Sequence, residues 1–100
     1  MQFSKLLLEA IALRKHIVAT YNRQIVTLAP HILYTRHDEL YVDAVAVERD
    51  GKPPREIKLG TFKLTGLSEV SLVERSFLPM RIFDPNAEKY AGTTLLAVEA

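Results

Sequence analysis

The chain has no cysteine. That excludes disulfide stapling, thiolate catalysis and any cysteine zinc site, and it suits a reducing compartment, so the expected location is the cytoplasm. It has no apolar run of about 18 residues, so no transmembrane helix and no membrane partner are expected. It has no convincing export signal: LLLEAIAL is interrupted by Glu9, and the basic pair Arg14-Lys15 follows the apolar run instead of preceding it. The glycines, Gly51, Gly60, Gly66 and Gly92, are isolated and make no phosphate-cradling loop. Acid is locally scarce too. None lies between Glu9 and Asp38, an interval that holds Arg14, Lys15, Arg23 and Arg36 with His16, His31 and His37.

Catalytic patterns are also missing. His31 and His37 flank no H-E-x-x-H arrangement, and His37-Asp38-Glu39 reads as a solvated turn, so no metal is expected. Ser4, Ser68, Ser71 and Ser76 lack a G-x-S-x-G context. Asp43 and Glu48 fall on opposite faces of one strand by parity and make no acid/base pair. The expectation is a protein that is not an enzyme and carries no cofactor.

What is present suits one small domain. The chain has 100 residues, 48% of them hydrophobic and 25% charged, with a net charge of +1. A chain this short buries roughly 65% of its unfolded surface, enough for one core. Phe3, Leu6, Leu7, Ala10 and Ile11 recur at helical spacing and predict a helix over 3–15. Residues 17–21 and 24–29 are rich in strand formers and are separated by a turn at Asn22-Arg23. Pro30 marks an edge, bend or strand start. Residues 31–36 and 40–48 form the next pair. In the second of these, Leu40, Val42, Ala44 and Ala46 are assigned to the core, with Tyr41 and Asp43 on the other face.

Arg49 to Pro54 reads as a turn or loop. Strands are expected over 57–64, with Gly60 a candidate bulge, and over 67–74. Residues 77–85 are apolar but discontinuous, and read as a segment laid across the domain. Thr93 to Glu99 reads as a terminal strand that either completes this sheet, the favoured reading, or pairs with another molecule. The fold class is therefore mainly β. It is a small barrel over 16–75 capped by the N-terminal helix, with a C-terminal extension over 76–100.

The strongest functional reading is recognition. Tyr21, Tyr34 and Tyr41 offer rings, and Arg23, Arg36, Lys58 and Lys63 offer positive charge. Aromatics ringed by cations are a recipe for binding single-stranded nucleic acid or a nucleotide.

The order of features resembles the WYL domain of bacterial transcriptional regulators. AIALRKHIVATYN at 10–22 gives the helix end and a strand closing on Tyr21. APHILYTRHDELYVDAVAV at 29–47 carries the proline-led strand and the LYV at 40–42. LGTFKLTGLSEV at 59–70 is similar to the later strand motif. Tyr41 matches the naming triplet, with Leu40 and Val42 in its flanking places. Phe62 and Leu64 match the later motif, and Lys63 keeps its charge. Gly60 and Gly66 stand where arginine is usual, with Arg55 or Lys58 as positional substitutes.

The resemblance implies an Sm-like or SH3-like barrel and a ligand-responsive role in transcription regulation; members often carry a separate helix-turn-helix domain, for which no room is expected beside the barrel in these 100 residues. Tyr21, Arg36, Tyr41, Lys58 and Lys63 are the candidate ligand-binding residues. The alternative is a structural or protein-interaction domain whose ligand site is lost, acting through a homodimer or a regulatory protein partner.

Overall fold

A computed structural model describes residues 4–99. The expected start of the helix at Phe3 lies outside these residues. The helix α1 runs over Ser4–Leu13 and buries Leu7, Ala10 and Ile11. It is shorter at its end than the periodicity predicts. Arg14 turns left-handed, with φ 57°, and Lys15 already belongs to the first strand. The Arg14 carbonyl accepts the Phe77 N–H at 2.9 Å. Burying a leucine or isoleucine contributes roughly 1.5–3 kcal/mol, so this stripe holds the helix to the sheet.

Six strands follow: β1 (Lys15–Tyr21), β2 (Gln24–Arg36), β3 (Glu39–Arg49), β4 (Leu59–Lys63), β5 (Ser68–Ser76) and β6 (Thr94–Ala97). They form one antiparallel sheet in the order β4-β3-β2-β1-β5, with β6 pairing to β2. Tight turns set the register. Asn22 and Arg23 both have positive φ, as do His37 and Asp38, and Asp50 with Gly51. Two successive left-handed residues match the twist of a two-residue hairpin. The second turn is therefore His37-Asp38 alone, and Glu39 pairs with Arg36 as strand.

Pro30 does not divide two strands. It lies inside the 13-residue β2, at a place that needs no donor. The pairing of β2 with β1 ends at Leu28, and its pairing with β6 begins at Ile32. The register with β3 also shifts between Pro30 and Ile32. Gly60 makes no bulge; it pairs in register with Ala44.

The sheet curls without closing, since β4 and β5 do not pair. A short 3-10 turn over Leu64–Gly66 joins them. The edges at β4 and β5 are poor templates for a foreign strand. β4 has five residues, and β5 carries two register shifts with Glu69 at φ 51°. Short or bulged edges resist edge-to-edge association. The C-terminal segment lies across the domain as expected. Phe77, Phe83, Tyr90 and Val98 join the same core, and β6 completes this chain's own sheet.

Candidate ligand-binding site

Directly opposed residues in an antiparallel pair project to the same face. Arg36 opposes Glu39, Tyr34 opposes Tyr41, Tyr41 opposes Lys63, and Asp43 opposes Thr61. These residues share one face. Val42 with Phe62, Ala44 with Gly60, and Leu28 with Ala46 share the other.

On the first face, Asp43 is 1% exposed. Its Oδ1 accepts from the Tyr34 hydroxyl at 2.7 Å and from Thr61 Oγ1 at 2.9 Å. Its Oδ2 accepts from Lys89 Nζ at 2.9 Å and from the Tyr90 hydroxyl. Burial pushes the Asp43 carboxyl up. The hydrogen bonds from Tyr90, Tyr34, Lys89 and Thr61 outweigh it and hold the group below its usual value. Burial, with the Asp43 carboxylate beside it, pushes the Tyr34 hydroxyl up to about 12 and raises Tyr90 as well. Lys89 also lies 5.6 Å from the Tyr34 ring centroid and 5.2 Å from that of Tyr90. Each carboxylate oxygen has two donors, so this cluster fastens the C-terminal segment to the sheet and leaves little capacity for a ligand.

His31 makes a second fastening. It is buried, its Nδ1 is 2.8 Å from the Ala29 carbonyl, and its Nε2 is 3.1 Å from the Met80 N–H. Nε2 must therefore be the acceptor and Nδ1 the protonated nitrogen. Burial lowers the His31 pKa against the opposing pull of the Ala29 bond.

The other face offers a groove of about 510 Å³ between β3, β4 and the loop that joins them. Ala44, Ala46 and Gly60 give a floor of very small side chains, ending at Phe62. The Phe62 ring lies back over Gly60; a Cβ added at that glycine would stand 3.2 Å from Phe62 Cε1. Leu59 and Pro54 add apolar wall, and Arg49, Arg55, Lys58 and Glu56 supply charge. Lys58 pairs with Glu56 at 3.1 Å, and both are well exposed. Among the described residues, neither Arg49 nor Arg55 takes part in an ion pair.

The five candidates do not converge. Arg36, Tyr41 and Lys63 share the Asp43 face. Lys63 is held by Glu39 at 2.8 Å, a contact that raises its pKa. The half-buried Tyr41 stacks on Tyr34, with ring centres 6.0 Å apart. Lys58 lies at the groove on the opposite face. Tyr21 is on that side too, edge-on to Phe62 with centroids 5.1 Å apart. The expectation of one surface spanning all five thus divides into two, because β3 parity separates Tyr41 from the Ala44 floor.

Arg49 and the floor alanines were not among the candidates. A signal for them does exist. Arg49, Lys52, Arg55 and Lys58 recur every third residue around Pro53-Pro54. A three-residue period is the polyproline-like spacing that brings side chains to one side. Lys52 leaves the series because it folds back onto Arg49 through paired backbone hydrogen bonds of 2.8 and 2.9 Å.

No family model matches the chain, and no curated protein and no solved structure matches it.

Proposed function

We propose that this is a non-enzymatic regulatory or sensor domain that binds a nucleotide-like or single-stranded nucleic-acid ligand, and that the groove beside β4 is its site. The observation that carries this reading is the pairing of a small-residue floor with Arg49, Arg55 and Lys58 around it. A volume of about 510 Å³ suits a small-molecule site. The small-residue apolar floor is suited to a ring, and the cations orient an anionic group. The resemblance to the WYL domain supports a ligand-responsive role, with the site moved from the Tyr41–Lys63 surface to the groove. Arg55 and Lys58, either of which is a candidate to compensate for the lost arginines, both line the groove.

The test is a titration of the whole chain with mononucleotides and with short single-stranded RNA and DNA at two salt concentrations. Binding should weaken at the higher salt, and Arg55→Ala should weaken it about tenfold or more, as expected for a charge-assisted contact worth about 1.5–3 kcal/mol. Absence of binding across the panel, with the folded state confirmed by circular dichroism, rejects the reading.

The second reading is a structural or protein-interaction domain whose ligand site is lost, and it has its own observation. Leu13, Leu78 and Leu95 are 56%, 79% and 53% exposed. On this reading sedimentation should detect a dimer that Leu78→Ser dissolves.

A further inference from the structure

Glu56 is the one acid lining a groove that is otherwise cationic, and it does not face bulk solvent alone: its carboxylate holds Lys58 at 3.1 Å. We infer that Glu56 is a built-in counter-anion, which a phosphomonoester on a flat, mononucleotide-sized body displaces from Lys58 on binding. This rests on the groove being the ligand site.

The charge count sets the ligand's class. Arg49, Arg55 and Lys58 against Glu56 leave two positive charges in excess. A phosphomonoester carries about 1.5 to 2 negative charges near neutral pH. One such group balances the groove; the next cation, Lys52, folds back onto Arg49, so it adds to this end of the cluster and does not extend a track along the strands. Beyond Ala46, the strand reaches Glu48, which is already engaged by Arg75 at 3.3 Å. Beyond Phe62, Lys63 turns to the opposite face and pairs with Glu39. The positive field is therefore one short cluster and not a track, whereas strand binding draws on a groove that follows the backbone.

The exchange itself is electrostatically easy. The Lys58–Glu56 pair is exposed, with side chains 74% and 69% accessible, and pairs of that kind hold weakly. A dianion flanked by Arg49 and Arg55 offers Lys58 a stronger partner than one carboxylate. Once displaced, Glu56 remains near the phosphate and repels it. Glu56 thus lowers affinity, and its removal should raise it.

The experiment compares the intact chain with Glu56→Gln, Lys58→Ala, Arg55→Ala and the Glu56→Gln/Lys58→Ala pair. Each is titrated calorimetrically with adenosine monophosphate, inorganic phosphate and a ten-nucleotide DNA strand. Glu56→Gln should tighten adenosine monophosphate binding about three- to tenfold, with the larger gain at low salt. The gain should shrink by half or more when Lys58 is already alanine, because the competition acts through Lys58. Inorganic phosphate should bind more weakly than the nucleotide, for want of a body on the floor.

An unchanged affinity in Glu56→Gln, with Arg55→Ala still weakening binding, overturns the role of Glu56 and leaves the groove reading standing. A full gain in the Lys58→Ala background overturns the displacement. Tighter binding of the DNA strand than of the mononucleotide, by a hundredfold or more, overturns the ligand class. No binding by any variant overturns the groove and this inference together.

Discussion

One face of the sheet carries a buried carboxylate with a donor for every place it can accept; the other carries three cations with one acid between them. The first gathers side chains of β2, β3, β4 and the C-terminal segment around Asp43; the second draws on the end of β3 and the loop that leads to β4. The difference lies in where their partners come from. Asp43 is served entirely by this chain, by Tyr34, Thr61, Lys89 and Tyr90. Arg49 and Arg55 take part in no ion pair among the described residues. A buried group that is fully satisfied strengthens the fold, and charges whose partners are not supplied internally are the ones open to a ligand.

The largest effect that tests this contrast is at Asp43. Asp43→Ala leaves two tyrosine hydroxyls and the Lys89 ammonium without their shared acceptor, and should cost about 3–5 kcal/mol in urea unfolding. Arg55→Ala, at the exposed rim, should leave the unfolding midpoint unchanged within error. Equal losses for the two would erase the distinction between a structural and a binding cluster.

Tyr90→Phe keeps the ring in the core and removes one donor to Asp43 Oδ2. It should cost about 1–2 kcal/mol, and hydrogen exchange should show the segment around Glu88–Tyr90 opening more readily. A neutral result would mean that Lys89 alone secures that oxygen.

The third test is acid. Both His31 and Asp43 have lowered pKa values in the folded protein. For each, the unfolded chain takes up the proton first, so stability is fully present above the unfolded value and falls as pH drops through the interval below it. The fall should begin near pH 6.5, the ordinary histidine value, where the unfolded chain takes up a proton that folded His31, whose Nε2 accepts from the Met80 N–H, resists. A second fall should begin near pH 3.8, where the unfolded chain's aspartate protonates while folded Asp43 is still held ionised by its donors. Urea midpoints across this range measure both. His31→Gln should flatten the upper part of the profile and leave the lower part in place.

The smallest expected effect is at Lys63, on the Asp43 face. Lys63→Ala should change neither stability nor nucleotide affinity measurably, since its exposed ammonium is already answered by Glu39. A loss of affinity there, with Arg55→Ala silent, would return the site to the Tyr41 surface.

Much of this fold is legible in the residues. Alternation in β3, the helical stripe of Leu7, Ala10 and Ile11, and the turn pairs Asn22-Arg23 and Asp50-Gly51 all act locally, through backbone geometry and one-sided burial. Pro30 was less legible, because its place in β2 depends on β1 ending and β6 arriving beside it. Asp43 was assigned to the right face, yet its burial was hidden, since its cover comes from Lys89 and Tyr90, more than forty residues away. The candidate site was half legible for the same kind of reason. Lys58 could be named from charge, whereas Arg49 and the alanine floor acquire meaning only once β3, β4 and their loop enclose a groove.

The sequence by itself determined the elements: one amphipathic helix, a run of short strands, the turns between them and a chain without cysteine. These follow from periodicity, side-chain shape and composition, which operate within a few residues. Only the tertiary structure decided that the C-terminal segment is fastened by His31 and Asp43, that the sheet curls without closing, and that Tyr21 and Lys58 are parted from Arg36, Tyr41 and Lys63. Those outcomes depend on which distant groups satisfy one another, because a buried polar atom must find a partner wherever the chain can bring one.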